Sequence, residues 1–377
     1  MSYLSMELVG HRMVAPVQRD DAPLAVGEVR IRVEAASLCP TDVKKWDDAA
    51  LPARLAALAE AEAEASVKAR GLVLGHEFAG VVIETHESVT DVLVGDRVTV
   101  DPVLRCGACR WCADGHPEYC VELLGIGAAA GDPVACVVAG LGGGFAEHVV
   151  VPARNVIPLP DELSFADGAL VEPLADVVHA LEAARLRPGD VTAVVGLGPM
   201  GVLHVEALLF AGHRVIGVDP REDRRAVVEA LGATAVVPHE LPAVDAVFIT
   251  AGGGAHVPAT EHALERLAPG GRVVLFSSGA KGVALTVDSN RMHYRRQTLT
   301  GVVGFDRRHA VEAMRILASG GISVELVRQP SLPLARLGEA FAGVLDPGVL
   351  KTAILFGDSA LEESATAPVA AEKAEAA

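Results

Sequence analysis

Apolar and polar positions alternate along residues 24–38 (LAVGEVRIRVEAASL), most regularly from Val29 to Val33, as in a strand with one buried face. Residues 78–84, 92–100 and 145–152 read the same way, with Gly and Pro between them, so the first 150 residues are predicted to be β-rich. Beyond Pro160 the period changes. Short apolar runs (VTAVVG, RVIGVD, AVFIT, RVVLF, TLTGVVG) alternate with helical patterns at 199–211, 221–231, 256–267 and 309–319. Strands alternating with helices predict βαβ units around a parallel sheet. The boundary falls between Pro152 and Pro160, which gives a first domain over 1–155 and a second over 156–304. The helix and two short strands after Gly304 (near 324–329 and 351–356) are too few to fold alone, so 305–357 is expected to return to the first domain.

Two stretches stand outside this pattern. Residues 47–70 are strongly helix-forming, with Leu51, Leu55 and Leu58 on one face and Glu64 and Lys68 as an i,i+4 pair. Residues 358–377 are rich in Ala and Glu, hold no large apolar residue besides Leu361 and one valine, and read as a disordered tail.

Composition narrows the class. A chain of 377 residues with 51% hydrophobic residues, 38 glycines and 22 prolines fits a two-domain α/β enzyme. Its net charge of −17 and 4% aromatic content argue against a nucleic-acid partner, by repulsion and for want of a stacking surface. No apolar run approaches the roughly 20 residues of a membrane span, and the first residues lack the pattern of a secretory signal. A cytoplasmic protein with reduced thiols and a small-molecule partner is the expectation.

Four of the six cysteines, Cys106, Cys109, Cys112 and Cys120, fall in one loop with the spacing C-x2-C-x2-C-x7-C. Two disulfides or four buried thiols are the alternatives, but such density in a reducing compartment points to a metal. An all-thiolate tetrahedral shell suits zinc and leaves no position for a substrate, so the lobe at 104–122 is expected to hold a structural zinc.

The run Val191–Val195 leads into Gly196-Leu197-Gly198-Pro199-Met200-Gly201 and then an apolar helix. Glycines there permit a tight turn and close backbone approach, and the helix N-terminus holds a pyrophosphate. Asp219 ends the next strand, where a carboxylate takes the ribose hydroxyls and repels a 2′-phosphate. This favours NAD over NADP, with Arg221 and Arg224 as the residues through which NADP could still be accepted.

Cys39 ends a strand in Cys39-Pro40-Thr41-Asp42, His76 stands in Gly75-His76-Glu77, and Glu172-Pro173-Leu174 opens a helix after the boundary. A thiolate, an imidazole and a carboxylate make three protein ligands and leave one position open, the arrangement of a catalytic zinc. Together with the four-cysteine lobe and the GLGPMG loop, these motifs resemble the zinc-dependent medium-chain dehydrogenase/reductases over residues 6–357, in the family's order, and most closely their polyol, threonine and sugar dehydrogenase branch. The resemblance implies a GroES-like catalytic domain joined to a Rossmann-type doubly wound parallel sheet, two zinc ions per chain, and a dimer or tetramer. It implies that Cys39, His76 and Glu172 bind the catalytic zinc and that Glu77 lies beside it, as an exchanging ligand or behind the shell. It also implies that Asp42 accepts a hydrogen bond from His76 and that Thr41 relays the proton of a substrate hydroxyl. The reaction implied is hydride transfer between a secondary alcohol (polyol, cyclitol, sugar or amino alcohol) and NAD.

Three departures qualify this. Pro40 replaces a glycine and stiffens the ligand loop, and the 47–70 stretch lengthens the segment between Cys39 and His76. Gly304-Phe305-Asp306, with Arg307 and Arg308 after it, stands where sorbitol-type enzymes carry a substrate arginine. That weighs against linear polyols and leaves cyclitols, sugars and amino alcohols. Cys136 has no motif partner and is expected to be buried. A zinc-free quinone or enoyl reductase would lack the Cys39/His76/Glu172 set, and an NAD-sensing binding protein would need only the closed zinc site.

Overall fold

The computed structural model describes residues 2–50, 72–114, 119–120, 143–280, 282–323, 331–344 and 350–357. Cys136, most of the 47–70 stretch, the strand expected near 324–329 and the tail 358–377 lie outside the described residues.

A hairpin of β1 (Ser2–Gly10) and β2 (Met13–Asp20) opens the chain, with β1 also pairing β4 (Leu72–Val73). The main catalytic sheet is built around β3 (Glu28–Ser37), which pairs antiparallel with β5 (Glu77–Thr85) and β7 (His148–Pro152). The sheet continues through β6 (Arg97–Val100) to β8 (Val156–Pro158). It therefore runs past residue 155 before the chain crosses over. Val29, Ile31, Val33, Val82, Val98 and Val151 form its buried face, the alternation read from sequence.

The register of this sheet decides what meets at one end. Ser37 stands opposite Glu77, so Cys39, just past β3, and His76, just before β5, are brought together. A late strand, β16 (Ala353–Leu355), pairs antiparallel with β3 and sets Ala353 opposite Ser37, which delivers Lys351 to the same end. Beyond Cys39 the chain turns into a short helix, α1 (Pro40–Trp46), with Pro40 at its first position, where a missing N–H costs nothing. A one-turn helix, α2 (Arg110–Ala113), lies inside the cysteine loop.

The second domain begins with α3 (Phe165–Gly168) and α4 (Val171–Ala184). Its strands are β9 (Val191–Val195), β10 (Arg214–Val218), β11 (Thr234–Val236), β12 (Val244–Ile249), β13 (Leu267–Leu275) and β14 (Thr298–Gly301). They form one parallel sheet in the order β11-β10-β9-β12-β13-β14. The helices α5 (Pro199–Phe210), α6 (Glu222–Ala230), α7 (His256–Arg266) and α8 (Ser289–Arg295) connect them. The order reverses between β9 and β12, and such a switch point is where open α/β sheets bind ligands.

The segment after Gly304 divides. Helix α9 (Arg307–Ala318) lays Ala310, Ala313, Met314 and Leu317 against α4, in the core shared with the nucleotide domain. Expected to return with 305–357, this helix stays instead, because its i, i+3, i+4, i+7 apolar stripe finds its complement on α4. Helix α10 (Leu337–Gly343), the strand β15 (Ser331–Pro333) and β16 rejoin the catalytic domain, with Leu337, Phe341 and Ile354 in its core.

Candidate active site

In the cysteine lobe the four sulfurs converge. Cys106 and Cys112 are 3.9 Å apart, Cys109 and Cys112 3.6 Å, Cys109 and Cys120 3.9 Å, and Cys106 and Cys120 3.6 Å. A tetrahedral zinc with bonds of about 2.3 Å needs sulfurs about 3.8 Å apart, so the shell fits the metal. The backbone N–H groups of Ala108 and Cys109 point at the Cys106 Sγ, at 3.4 and 3.2 Å, and stabilise a thiolate there. All five described cysteines are free thiols, which removes the disulfide alternative for this lobe.

At the sheet end, ligand atoms of Cys39, His76 and Glu77 lie within 4.8 Å of one another. His76 and Glu77 are buried, and Cys39 is half-buried. The Thr41 hydroxyl stands 3.2 Å from the Cys39 Sγ and 3.4 Å from the His76 Nε2, within reach of a group bound between them. Asp42 lies behind. Its Oδ1 is 3.4 Å from the His76 Nδ1, without hydrogen-bond geometry, so it acts on the ring by charge and position. Its oxygens accept the N–H groups of Cys39 and Gly75, each at 3.2 Å, which ties the two ligand-bearing segments together. Burial disfavours a charged His76, but Asp42 and Cys39 outweigh it and raise its pKa. Burial also pushes the Cys39 thiol up, with His76 opposing.

The carboxylates separate by their partners. Glu77 is engaged: the Lys351 Nζ lies 2.7 Å from one oxygen and 2.6 Å from the other, and the Ser37 hydroxyl donates to it as well. Lys351 has no exposed side-chain surface, and the charges of Glu77 and Cys39 overcome its burial to raise its pKa. Glu172 differs. It sits in the first turn of α4, 8% exposed, and among the described residues nothing donates a hydrogen bond to it. It does not share the Cys39–His76–Glu77 cluster, but His76, Glu77 and Lys351 all act on its charge. Burial, reinforced by Asp176, pushes its carboxyl well above the usual range. A buried carboxylate with no partner is what a metal ion satisfies.

In the second domain the dinucleotide motif has its predicted setting, between β9 and α5. Gly196 has φ of +101°, and a Cβ on Gly201 would lie 1.9 Å from the Gly196 carbonyl oxygen, so the turn and the close helix–strand approach both require glycine. A Cβ on Gly198, the residue before α5, would meet nothing, which leaves a cradle open above the helix N-terminus. Pro199 begins the helix and Met200 packs on the domain core. Asp219 accepts the backbone N–H of Leu197 at 2.8 Å and of Arg221 at 2.9 Å, which fixes its carboxylate at the end of β10. Arg221 turns its guanidinium to Asp223, and Arg224 on α6 is half-buried, its pKa lowered by burial.

Several residues around these clusters carry no local signal in sequence. Lys351 is separated from Glu77 by 274 positions, and only the β3–β16 pairing brings them together. Arg105 pairs with Asp101 and donates from Nη2 to the Phe305 carbonyl at 2.7 Å, so it puts a guanidinium beside Gly304 and Phe305. Arg307 and Arg308 do not fill that place: Arg307 bonds the Val156 carbonyl and Arg308 pairs with Glu182 and Asp306. Asp176 was legible only as an acid one turn beyond Glu172 in an apolar helix.

Two family models match the chain, "Alcohol dehydrogenase GroES-like domain" over residues 25–161 and "Zinc-binding dehydrogenase" over residues 199–319. An L-threonine 3-dehydrogenase of Bacillus velezensis is 32% identical over 83% of this chain and 87% of its own. A (R,R)-butanediol dehydrogenase of Bacillus subtilis is 31% identical over 74% of this chain and 78% of its own. Among solved structures, a thermostable alcohol dehydrogenase from Pyrobaculum aerophilum superposes with a TM-score of 0.75 at 25% identity, covering 94% of this chain and all of that one, 100%. No helix among the described residues is long and apolar enough to cross a membrane. With a GroES-like sheet whose end gathers Cys39, His76 and Glu77 and a parallel sheet that carries the glycine-rich loop, this chain belongs to the zinc-type medium-chain dehydrogenases, in the branch of the polyol and threonine enzymes.

Proposed function

We propose that the chain oxidises a secondary alcohol with NAD at a zinc held by Cys39, His76 and Glu172, with Glu77 behind the shell. The observation that supports this ligand set is the contrast between the two glutamates: Glu77 is bound by Lys351 and Ser37, whereas Glu172 is buried, within the field of His76 and Glu77, and accepts no hydrogen bond among the described residues. A zinc bound there would supply Lewis acidity toward a substrate hydroxyl, and a nicotinamide cofactor would supply the hydride-accepting chemistry. The chain's own residues do the rest. Asp42 holds the His76 ring in place and biases its charge, and Lys351 keeps Glu77 from the open position. The Thr41 Oγ1, half-buried at the rim, accepts the hydroxyl proton and passes it outward.

Asp219 supports NAD as the cofactor. Fixed by two backbone N–H groups, its carboxylate faces the place of the ribose hydroxyls and repels a 2′-phosphate, while Arg221 is occupied by Asp223. Replacing Asp219 by serine should shift the ratio of kcat/KM with NAD to that with NADP toward NADP by about tenfold or more. An unchanged ratio contradicts this role. A panel of cyclitols, sugars, amino alcohols and short diols with both cofactors tests the activity, and oxidation of none by zinc-loaded protein would overturn it. Strand β14, at the edge of the parallel sheet among the described residues, with Val303 78% and Tyr294 80% exposed near it in sequence, supports assembly into a dimer or tetramer.

A further inference from the structure

The two domains are tied at a point that their covalent crossing does not explain. Arg105 donates from Nη2 to the Phe305 carbonyl, 200 residues on, at 2.7 Å, and pairs through Nη1 with Asp101. Phe305 belongs to the second domain: it follows β14, is 1% exposed and packs in the core shared with α4. The same loop is held from its own side, where the His179 Nδ1 on α4 lies 2.6 Å from the Gly304 carbonyl oxygen. Successive carbonyls of one turn, with φ of +65° at Gly304, thus go to opposite domains. Arg97 and Arg307, by contrast, bond carbonyls of the crossing segment itself, at Pro160, Leu163 and Val156.

The root of this tie is braced. Asp101 accepts the Val103 N–H at 3.0 Å, and the buried Asn155 amide donates to the Asp101 and Val103 carbonyls at 2.8 and 3.0 Å. The pairing of Ala79 with Thr99, carried two residues along, sets Asp101 level with Glu77, so the tie starts at the metal end of the catalytic sheet. It also starts at the base of the cysteine lobe, since Cys106 is the next residue. Apolar packing between domains has no preferred direction, and domains so joined move relative to each other by default. A charge-assisted hydrogen bond adds the missing direction.

We propose that Arg105 is a positioning residue for hydride transfer: it straps the loop after β14 to the metal end of the catalytic sheet and so fixes the approach of the nucleotide domain to the Cys39–His76 cluster. This rests on the dehydrogenase reading above and adds to it the residue that sets the distance between the two halves of the site. Reacting atoms must come within about 3–3.5 Å of each other, and a displacement of about 1 Å costs about a hundredfold in rate.

The chain carries its own reporter. Both tryptophans, Trp46 on α1 and Trp111 on α2, lie in the catalytic domain, whereas the glycine-rich loop lies in the other. Energy transfer from tryptophan to bound NADH therefore reads the distance between the domains without turnover. With zinc-loaded full-length protein, Arg105→Met should lower the transfer at saturating NADH and leave the midpoint of the NADH titration unchanged. Arg105→Met/Asp101→Asn should do the same, because its amide keeps an acceptor for the Val103 N–H and no lone buried charge remains. On any alcohol the wild type oxidises, kcat should fall about 10- to 100-fold in both variants, with KM for NAD unchanged. Equal transfer in wild type and variants overturns the proposal. So does a loss in Arg105→Met that the double variant restores, which would trace the defect to an uncompensated Asp101. A shifted midpoint with full transfer also overturns it, by placing the role of Arg105 inside the nucleotide domain. Wild type that shows transfer with neither NADH nor NADPH takes the dehydrogenase reading down as well.

Discussion

Cys39→Ser should lower kcat/KM for alcohol oxidation by about a thousand- to a hundred-thousand-fold. That range corresponds to the several kcal/mol of charge stabilisation a Lewis acid contributes, at about 1.4 kcal/mol per tenfold. A serine hydroxyl does not ionise near neutral pH and is a poor zinc ligand, whereas the thiol is deprotonated by the metal it binds. The fold should survive, because the local structure rests on backbone contacts: the Cys39 N–H bonds Asp42, and Leu38 is held by the Thr352 carbonyl at 3.0 Å. Steady-state kinetics on the variant, with a thermal melt beside them, separate the two effects. Activity within tenfold of wild type at unchanged melting temperature would mean that Cys39 holds no catalytic metal.

Lys351→Met should destabilise the protein by about 3–5 kcal/mol, the cost of leaving one partner of a buried ion pair alone. Glu77 is 1% exposed, and without Lys351 its charge keeps, among the described residues, the Ser37 hydroxyl as its hydrogen-bond donor. Urea unfolding measures the loss. Two further results follow from the same cause. Saturating zinc should recover part of the stability, because a cation beside Glu77 replaces some of the missing charge. The double variant Lys351→Met/Glu77→Gln should be more stable than Lys351→Met, since removal of both charges leaves no unpaired carboxylate. A loss below about 1 kcal/mol for Lys351→Met would place Glu77 in wetter surroundings than its burial indicates.

Sequence patterns carried the architecture wherever one element decides its own fate. The alternation around Val29–Val33 is a strand because one face meets the core, and Gly196 to Gly201 lead from β9 into the first turn of α5 because the turn and the close approach need glycine. The cysteine lobe was legible for the same reason, since its four ligands sit within one loop. What lay hidden depends on register between distant strands. Nothing around Lys351 in VLKTAILF marks it as the partner of Glu77, because the contact is made only once β16 pairs with β3. Helix α9 was placed with the wrong neighbour for a related reason: its apolar stripe shows that it packs, and the complementary surface on α4 decides where. Hydrogen-bond geometry was equally out of reach, and Asp42 proves to approach His76 closely without forming the expected bond.

The central claim is a second, open metal site at the end of β3 and β5, distinct from the closed cysteine lobe. Zinc analysis of the purified full-length chain tests it most directly. Two ions per chain are expected, about one in the lobe and one at Cys39, His76 and Glu172, falling to about one in Cys39→Ser while the lobe keeps its own. About one zinc per wild-type chain, unchanged by Cys39→Ser, would contradict the account.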